Sequence, residues 1–461
     1  VELTHAVCDR ARLARDARFD GRFFIAVTST KIYCRPVCPA PSPKPSNILY
    51  FPSAAAAAEA GFRPCLRCRP ETSPGTPAWL GTSTSVSRGL KLISEGALDE
   101  HSVDELAERL GLGSRHLRRM FLQHLGATPI AVAQTRRVHF AKKLIDETEL
   151  PMTQVAMASG FGSIRRFNAT FQKLYGRSPG DLRRSTARER NGNEAGVYTF
   201  RLGYRPPYNW ASIIGFLGPR AIPGVETITL DEYRRSISLD GNSGFISVRN
   251  IAAKNHLELR IEFPEPAALF RIVERVRNIF DLRADPTDVD EHLRRDSRLK
   301  PIVQAHAGTR VPGCWDGFEI GVRAILGQQV SVKGATTMAG RLVAEFGGNN
   351  FPSAEALADA DLMRIGLTKA RAHSIRELAS AVARSEVAFD ASLGLEAFEE
   401  VMKKLPGVGP WTAQYIAMRI GEPDAFPSGD LYLKKFGKES EAWRPWRAYA
   451  AMYIWRGSHL L

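Results

Sequence analysis

The chain has 461 residues, too many for one ordinary domain and enough for about three. Its 44% hydrophobic content excludes a disordered polymer, and its formal net charge of +14 makes a polyanion the first partner to consider. No apolar run approaches the roughly 18 residues that a membrane span needs, so no membrane partner is expected. The charge is uneven: residues 1–190 hold 29 Lys and Arg against 17 Asp and Glu, which is +12 of the +14. No signal-peptide pattern follows Val1. Four of the six cysteines are clustered, which in a reducing compartment reads as metal binding and not as disulfides.

In chain order, the cysteines come first. Cys34-x3-Cys38 and Cys65-x2-Cys68 are separated by 26 residues. Paired short spacings let each pair give two tetrahedral ligands once the intervening segment folds back. Four thiolates select zinc or iron–sulfur, and with no further cysteine nearby zinc is favoured. Taken alone, the cluster is a structural knot. Its flanks, FFIAVTSTKIYCRPVC and AAGFRPCLRCRP, resemble the zinc module of the Ada-type methylphosphotriester-DNA methyltransferases across residues 5–71. The resemblance implies one Zn2+ on Cys34, Cys38, Cys65 and Cys68, with Cys34 also the methyl acceptor. It places Thr30 and Arg63 at the phosphate backbone. A zinc-bound thiol stays ionised at neutral pH and accepts methyl irreversibly. Methylation takes a formal −2 centre to −1, so DNA should then be held more tightly. After Cys38 the family often has basic residues, whereas this chain has Pro-Ala-Pro-Ser-Pro-Lys.

Ala54–Ala58 suits a helix, and Arg69–Ser87, rich in Pro, Gly, Ser and Thr, reads as a linker. Residues 88–182 are helical in period. Val103, Leu106, Ala107 and Leu110 form an apolar face, Gly111-Leu112-Gly113 a tight turn, and Ser114 the expected N-cap of a second helix with Met120 and Phe121 inward. This is a helix-turn-helix pattern. It recurs as MTQVAMASGFGSIRRFNATFQKLYGRSP, and the pair resembles the AraC-type regulators over residues 88–184. Outward residues of the two second helices are Arg115, Arg118 and Arg119, then Arg165, Arg166 and Asn168. Arginines there can read guanine edges or sit on phosphates, and the sequence leaves both open. The full Ada architecture ends in a second methyltransferase domain with Pro-Cys-His-Arg. That string is absent, and Cys314 and Cys8 read as inert thiols.

Arg183–Ala195 is a polar break. The runs VYTFRL, SISL, GFISVRN and LELRIEF predict strands within 197–263. A softer boundary is expected near Gly308–Gly313, and helices dominate from Pro266 onward. In LPGVGPWTAQYIAMR, Gly407 and Gly409 allow a hairpin that offers N–H groups to a phosphate. Pro427-Ser428-Gly429-Asp430 then predicts a turn and a helix bearing Lys434 and Lys435. An aspartate there is, taken alone, an N-cap. Together with GYRPPYNWASIIGFL, VPGCWDGFEIGVRAILGQQVS and WRPWRAYAAMYIW, the region 196–457 resembles the AlkA-type 3-methyladenine-DNA glycosylases of the helix-hairpin-helix superfamily. The resemblance implies Asp430 as the catalytic carboxylate, Trp411, Tyr415, Trp455 and Phe216 around a flipped cationic base, and Gln328-Gln329 where a wedge enters the duplex. Related lyases carry a Schiff-base lysine just after the hairpin. Here that position is Trp411 and Pro410–Ile420 has no lysine, so no strand cleavage is expected. The stretch from Asp430 to Trp443 is shorter than in relatives.

The expected fold class is multidomain, mainly α with α+β parts: a small zinc module (1–75), a tandem helix-turn-helix domain (85–186), an antiparallel β/α domain (195–305) and a helix-hairpin-helix glycosylase domain (306–461). Expected partners are double-stranded, alkylated and promoter DNA, with RNA polymerase added by the regulator reading. The expected location is the bacterial cytoplasm, at the nucleoid. The alternative is a methylation-responsive transcription factor whose glycosylase-like half binds DNA without catalysis.

Overall fold

The structure is a computed structural model and describes residues 3–74, 84–99, 101–186, 196–389 and 393–457. It divides into two compact units. The first comprises Val1–Pro206, Ile251–Glu274 and Leu282–Asp285, and the second Pro207–Asn250, Arg275–Asp281 and Pro286–Leu461.

The first unit opens on a four-stranded sheet in the spatial order Ile48–Phe51, Phe24–Val27, Ile32–Cys34, Arg63–Pro64. Phe24–Val27 and Ile32–Cys34 pair antiparallel. Arg63–Pro64 joins parallel, with Tyr33 opposite Pro64. That register sets Cys34 beside Cys65. The alanine run forms the helix Ala54–Glu59, capped by Ser53, whose Oγ accepts from the Ala56 N–H at 3.0 Å. Its two faces serve two cores. Ala54 and Ala57 pack with Phe24, Tyr33 and Phe62, while Ala55 and Ala56 pack with Ala127 and Ala131. Methyl-sized side chains permit this close approach, and Ser53 Oγ also donates to the Leu125 carbonyl at 2.7 Å.

Two helix-turn-helix units follow, Val103–Arg109 with Ser114–Leu125 and Met152–Ala158 with Ile164–Tyr175, joined by the long helix Pro129–Glu147. Gly111 and Gly160 turn at φ +68° and +78°, where a β-carbon is disfavoured. Leu117, Phe121 and Leu125, then Phe167, Phe171 and Tyr175, are buried as the period predicts, and Met120 is half-buried. Ser114 is not the cap. The helix begins at Ser114, and Gly113, extended at φ −77° and ψ 143°, holds the cap position without a side-chain bond.

The segment read as a linker is ordered over its first part. Pro70–Thr72 is a buried 3-10 turn. Arg69 there pairs with Asp146 at 2.9 Å and Glu71 at 3.2 Å, and Lys142 with Asp146 at 2.5 Å. Its last part is helical, because Thr84–Ser94 forms a helix; residues 75–83 lie outside the described residues. The second polar break is helical through Thr186, and 187–195 lie outside the described residues. Val197–Gly203 pairs antiparallel with His256–Glu262, in the same unit.

In the second unit Glu226–Ile228, Glu232–Leu239 and Asn242–Ile251 form an antiparallel meander. Against it lies the helix Gly317–Leu326, capped by Asp316. Burial pushes the Glu319 carboxyl up, but Arg235 and Arg323 outweigh it and hold it below the usual value. Glu319 meets Arg235 at 2.7 Å and Arg323 at 3.2 Å, which pins the helix to the strands. The stretch 308–313, where a softer boundary was expected, is tightly packed. Thr309 and Arg310 are buried, and a β-carbon at Gly313 would lie 2.4 Å from the Asn278 carbonyl oxygen. Among the described residues no helix is long and apolar enough to cross a membrane.

Candidate functional site

At the end of the first sheet the sulfurs of Cys34, Cys38, Cys65 and Cys68 all lie within 4.8 Å of one another. Strand register supplies Cys34 and Cys65, and the short x3 and x2 turns supply their partners. Four thiols this close cannot ionise together without a cation: contact with Cys38 and Cys65 pushes Cys34 up, and Cys34, Cys38 and Cys65 push Cys68 up. The donor set and its compactness fit one Zn2+. Cys65 and Cys68 are buried, whereas Cys34 and Cys38 are half-exposed. Cys68 Sγ accepts the Arg35 N–H at 3.3 Å, and the Arg35 guanidinium pairs with Asp20 and donates to the Cys68 carbonyl at 3.0 Å. Thr30, Lys31 and Arg63 are exposed, Lys31 at φ +56°, and the Arg63 N–H bonds the Lys31 carbonyl at 2.8 Å. Arg67, between Cys65 and Cys68, is also exposed. Cys8 is buried in a separate apolar cluster, and burial pushes its thiol up to about 11, in keeping with an inert role.

Arg115, Arg118 and Arg119 are exposed along one second helix, and Arg165, Arg166 and Asn168 along the other. Each helix buries its apolar stripe and leaves these residues to solvent.

In the second unit the hairpin Leu405–Gly409 leads into the helix Pro410–Arg419. Gly407 sits at φ +74°, and a β-carbon there would come within 2.2 Å of Ser374 Oγ. At Gly409 a β-carbon would meet nothing within 4 Å. Among the described residues no backbone carbonyl outside the helices and strands accepts from the N–H of Gly407 or Gly409. One turn apart on the helix, Trp411 and Tyr415 stack at 5.4 Å and 8°. Phe216, from the helix Trp210–Leu217, stacks with Trp455, from the helix Arg447–Gly457, at 6.2 Å and 20°. Arg419 bridges the pairs. Its guanidinium lies 5.1 Å from the Phe216 ring and donates to the Tyr415 hydroxyl at 2.9 Å. Arg220 covers Phe216 from 4.0 Å. Burial pushes the Tyr415 hydroxyl up, yet Arg419, Arg220 and Arg323 together hold it below its usual value.

Asp430 is half-buried at this cluster. Its Oδ1 accepts from Trp455 Nε1 at 3.0 Å, the Tyr432 N–H at 2.9 Å and the Leu433 N–H at 3.3 Å. It therefore holds the turn that follows it and adjoins the aromatic set, while Tyr432, not Asp430, takes the cap position of the next element. Gln414 fixes the turn before it, accepting from the Phe426 N–H at 2.9 Å. The expected helix after Asp430 is not an α-helix. Leu433–Trp443 runs as 3-10 turns broken at Gly437. Gly437, at φ 9° and ψ −108°, interrupts the helical backbone in mid-segment. The segment is nevertheless packed, with Leu433 and Trp443 buried and Trp443 Nε1 donating to Asp296 at 2.9 Å.

Gln329 is exposed, with φ +54°. Gln328, expected on DNA beside it, spends its amide on the protein, donating to the Gly407 carbonyl at 2.8 Å and Thr412 Oγ1 at 2.9 Å. Sequence reasoning missed Arg419, Arg220 and Gln414. Arginine four residues after a pocket tyrosine was the one available signal for Arg419.

A thiolate metal centre, paired helix-turn-helix units and a hairpin-helix fold with a carboxylate at an aromatic cluster define a modular DNA-binding protein with a base-excision half. Four family models match: "Metal binding domain of Ada" over residues 7–71, "Helix-turn-helix domain" over 106–185, "AlkA N-terminal domain" over 199–316 and "HhH-GPD superfamily base excision DNA repair protein" over 322–453. A Mycobacterium tuberculosis protein named probable bifunctional transcriptional activator/DNA repair enzyme AlkA is 39% identical over 97% of this chain and 95% of its own length. DNA-3-methyladenine glycosylase 2 of Escherichia coli is 31% identical, over 56% of this chain and 96% of its own. The bifunctional transcriptional activator/DNA repair enzyme AdaA of Bacillus subtilis is 31% identical, over 40% of this chain and 86% of its own. The chain belongs to the Ada/AlkA-type family of bifunctional transcriptional activator and DNA repair proteins.

Proposed function

We propose that the chain accepts methyl groups from DNA phosphotriesters on Cys34 and, in its other half, hydrolyses the glycosidic bond of alkylated bases such as 3-methyladenine without cutting the strand. The observation that carries the second activity is the seat of Asp430, anchored through Oδ1 by the Trp455 indole N–H at the edge of the aromatic cluster. An anchored carboxylate beside a flipped sugar stabilises the oxocarbenium-like transition state. Trp411, Tyr415, Phe216 and Trp455 stack the base. Arg419 and Arg220 already occupy ring faces, so the pocket attracts a cationic base less than four aromatics alone would. The Gly407 and Gly409 N–H groups are the donors offered to a phosphate, and Gln329 is the wedge. A non-catalytic second half has lost its main motive, because the shortened segment is packed and leaves Asp430 in place.

In the methyl transfer, sulfur bonds to the methyl carbon, the carbon–oxygen bond breaks, and the phosphodiester leaves as an anion. With zinc bound, the thiolate stays ionised at neutral pH. The six outward residues of the recognition helices then hold promoter DNA, and RNA polymerase is the proposed partner of the activator.

The test uses the zinc-loaded full chain and methylated duplex. Free 3-methyladenine, abasic strands intact until alkali is added, no borohydride-trapped adduct and one methyl per chain are expected. Strand nicking with a trapped adduct would overturn the monofunctional assignment. A narrower expectation concerns the anchor. Trp455→Phe keeps the ring but removes the N–H donor, so single-turnover excision should fall by about tenfold, the worth of one hydrogen bond to a charged group. Binding of an abasic-site duplex should hardly change. An unchanged excision rate would mean the indole bond does not orient the carboxylate.

A further inference from the structure

The loop Gly327–Ser331 connects the helices Gly317–Leu326 and Val332–Phe346. At its tip Gln329 is exposed with φ +54°, and Val330 and Val332 just after it are exposed too. A residue with a β-carbon persists there only when its surroundings fix the backbone. Three contacts do so. Gln328 Nε2 donates to the Gly407 carbonyl at 2.8 Å and to Thr412 Oγ1 at 2.9 Å, on the hairpin and its following helix. Arg371, on the helix Lys369–Ala383, donates to the Gln328 carbonyl at 2.8 Å. Ser374, on the same helix, lies so close under Gly407 that no β-carbon fits between them. Loop, hairpin and helix thus close into a triangle with Gln328 at the shared corner.

We propose that Gln328 is a positioning residue that fixes the spacing between the side chain entering the duplex and the hairpin gripping the backbone, so that grip and opening act as one rigid event. This rests on the reading of Gln329 as the wedge and of the hairpin as the phosphate site. The chemistry of Gln328 suits the role. One amide reaches two acceptors on different parts of the hairpin motif, and its own carbonyl is held from the opposite side. Gly407 is then locked from both directions. Loss of the amide leaves the Gly407 carbonyl and Thr412 hydroxyl without that donor and frees the loop tip to pivot. Gripping undamaged DNA needs only the hairpin, whereas opening it needs the tip at a set distance. The two should therefore separate in a Gln328 variant.

The experiment uses the full chain with Gln328→Met, which keeps length and removes the amide, and with Thr412→Val, which removes one acceptor from the other side. Opening is read by 2-aminopurine fluorescence beside an abasic analogue in duplex DNA. Excision is read on one N-methylated purine placed either in a fully paired duplex or in a bulge that is already unstacked. Gln328→Met is expected to slow opening and paired-duplex excision about tenfold, Thr412→Val less, with bulge excision and affinity for undamaged duplex close to wild type. Added to Gln329→Ala, Gln328→Met should cost little more, because both act on one event. Equal loss on bulge and duplex, or additive losses, would overturn the proposal. If Gln329→Ala alone leaves opening unchanged, the wedge reading itself fails. If Gln329→Ala slows opening and neither Gln328→Met nor Thr412→Val does, the wedge stands and the positioning role falls.

Discussion

Asp430→Asn should reduce single-turnover excision of 3-methyladenine by about a thousandfold while leaving the fold intact. The substitution isolates charge because all three hydrogen bonds to the carboxylate reach the same oxygen, Oδ1. An asparagine carbonyl can accept the same three, from Trp455 Nε1 and the backbone of Tyr432 and Leu433, with its NH2 in the place of Oδ2. The local turn therefore survives. What disappears is a negative charge facing the developing positive sugar. A charge pair about 4 Å apart at an effective dielectric near 20 is worth roughly 4 kcal/mol, close to three orders of magnitude in rate. Because methylation at a ring nitrogen already makes the base a good leaving group, little else is asked of an acid here. The check is base release under enzyme excess, with the thermal midpoint measured alongside. Excision at the wild-type rate would remove Asp430 from the mechanism.

The parts of this molecule that were legible in its sequence are those fixed by short-range constraints. Zinc geometry demands close cysteine pairs, so the four ligands stand out by spacing alone. Gly407 is forced by a positive φ and by Ser374 beneath it, and both facts leave a glycine in the string. The strands between 197 and 263 announced themselves through short β-branched and aromatic runs between turn signals, and the helix-turn-helix units through their apolar period. The residues that escaped act over long sequence distances. Arg69 and Glu71 lie in a segment whose composition suggests a linker, yet they meet Asp146 and Lys142 on a helix more than sixty residues away. The alanine run gave its helix but not its second partner, Ala127 and Ala131, because five identical small residues carry no directional pattern. Arg419 at a helix end looks like a dipole partner, and only the fold brings Phe216 beneath it. Gln328 and Gln329 are identical neighbours, and only the backbone reveals that one faces the hairpin and the other solvent.

Cys34→Ser should abolish methyl transfer from methylphosphotriester DNA while excision by Asp430 continues at the wild-type rate. Geometry narrows the acceptor to two sulfurs. Cys65 and Cys68 are buried, and Cys68 Sγ already takes the Arg35 N–H, which draws electron density from it. Cys34 and Cys38 are the half-exposed pair, and Cys34 ends the strand Ile32–Cys34, which follows the turn carrying Thr30 and Lys31. A serine hydroxyl is not ionised at neutral pH and is a weaker nucleophile, so even a folded variant should fail. Cys38→Ser separates reactivity from folding, since both variants remove one ligand and only one removes the acceptor. Expected is no label on Cys34→Ser and measurable label on Cys38→Ser, with zinc content determined for each. The same pair tests the switch. Methylation takes a four-thiolate centre from a formal −2 to −1 in a module whose Lys31, Arg63 and Arg67 are exposed, so wild-type affinity for DNA should rise on methylation and the rise should shrink with added salt. Cys34→Ser should show no methylation-dependent rise. Label appearing on Cys34→Ser would move the acceptor to Cys38, the other sulfur that solvent can reach.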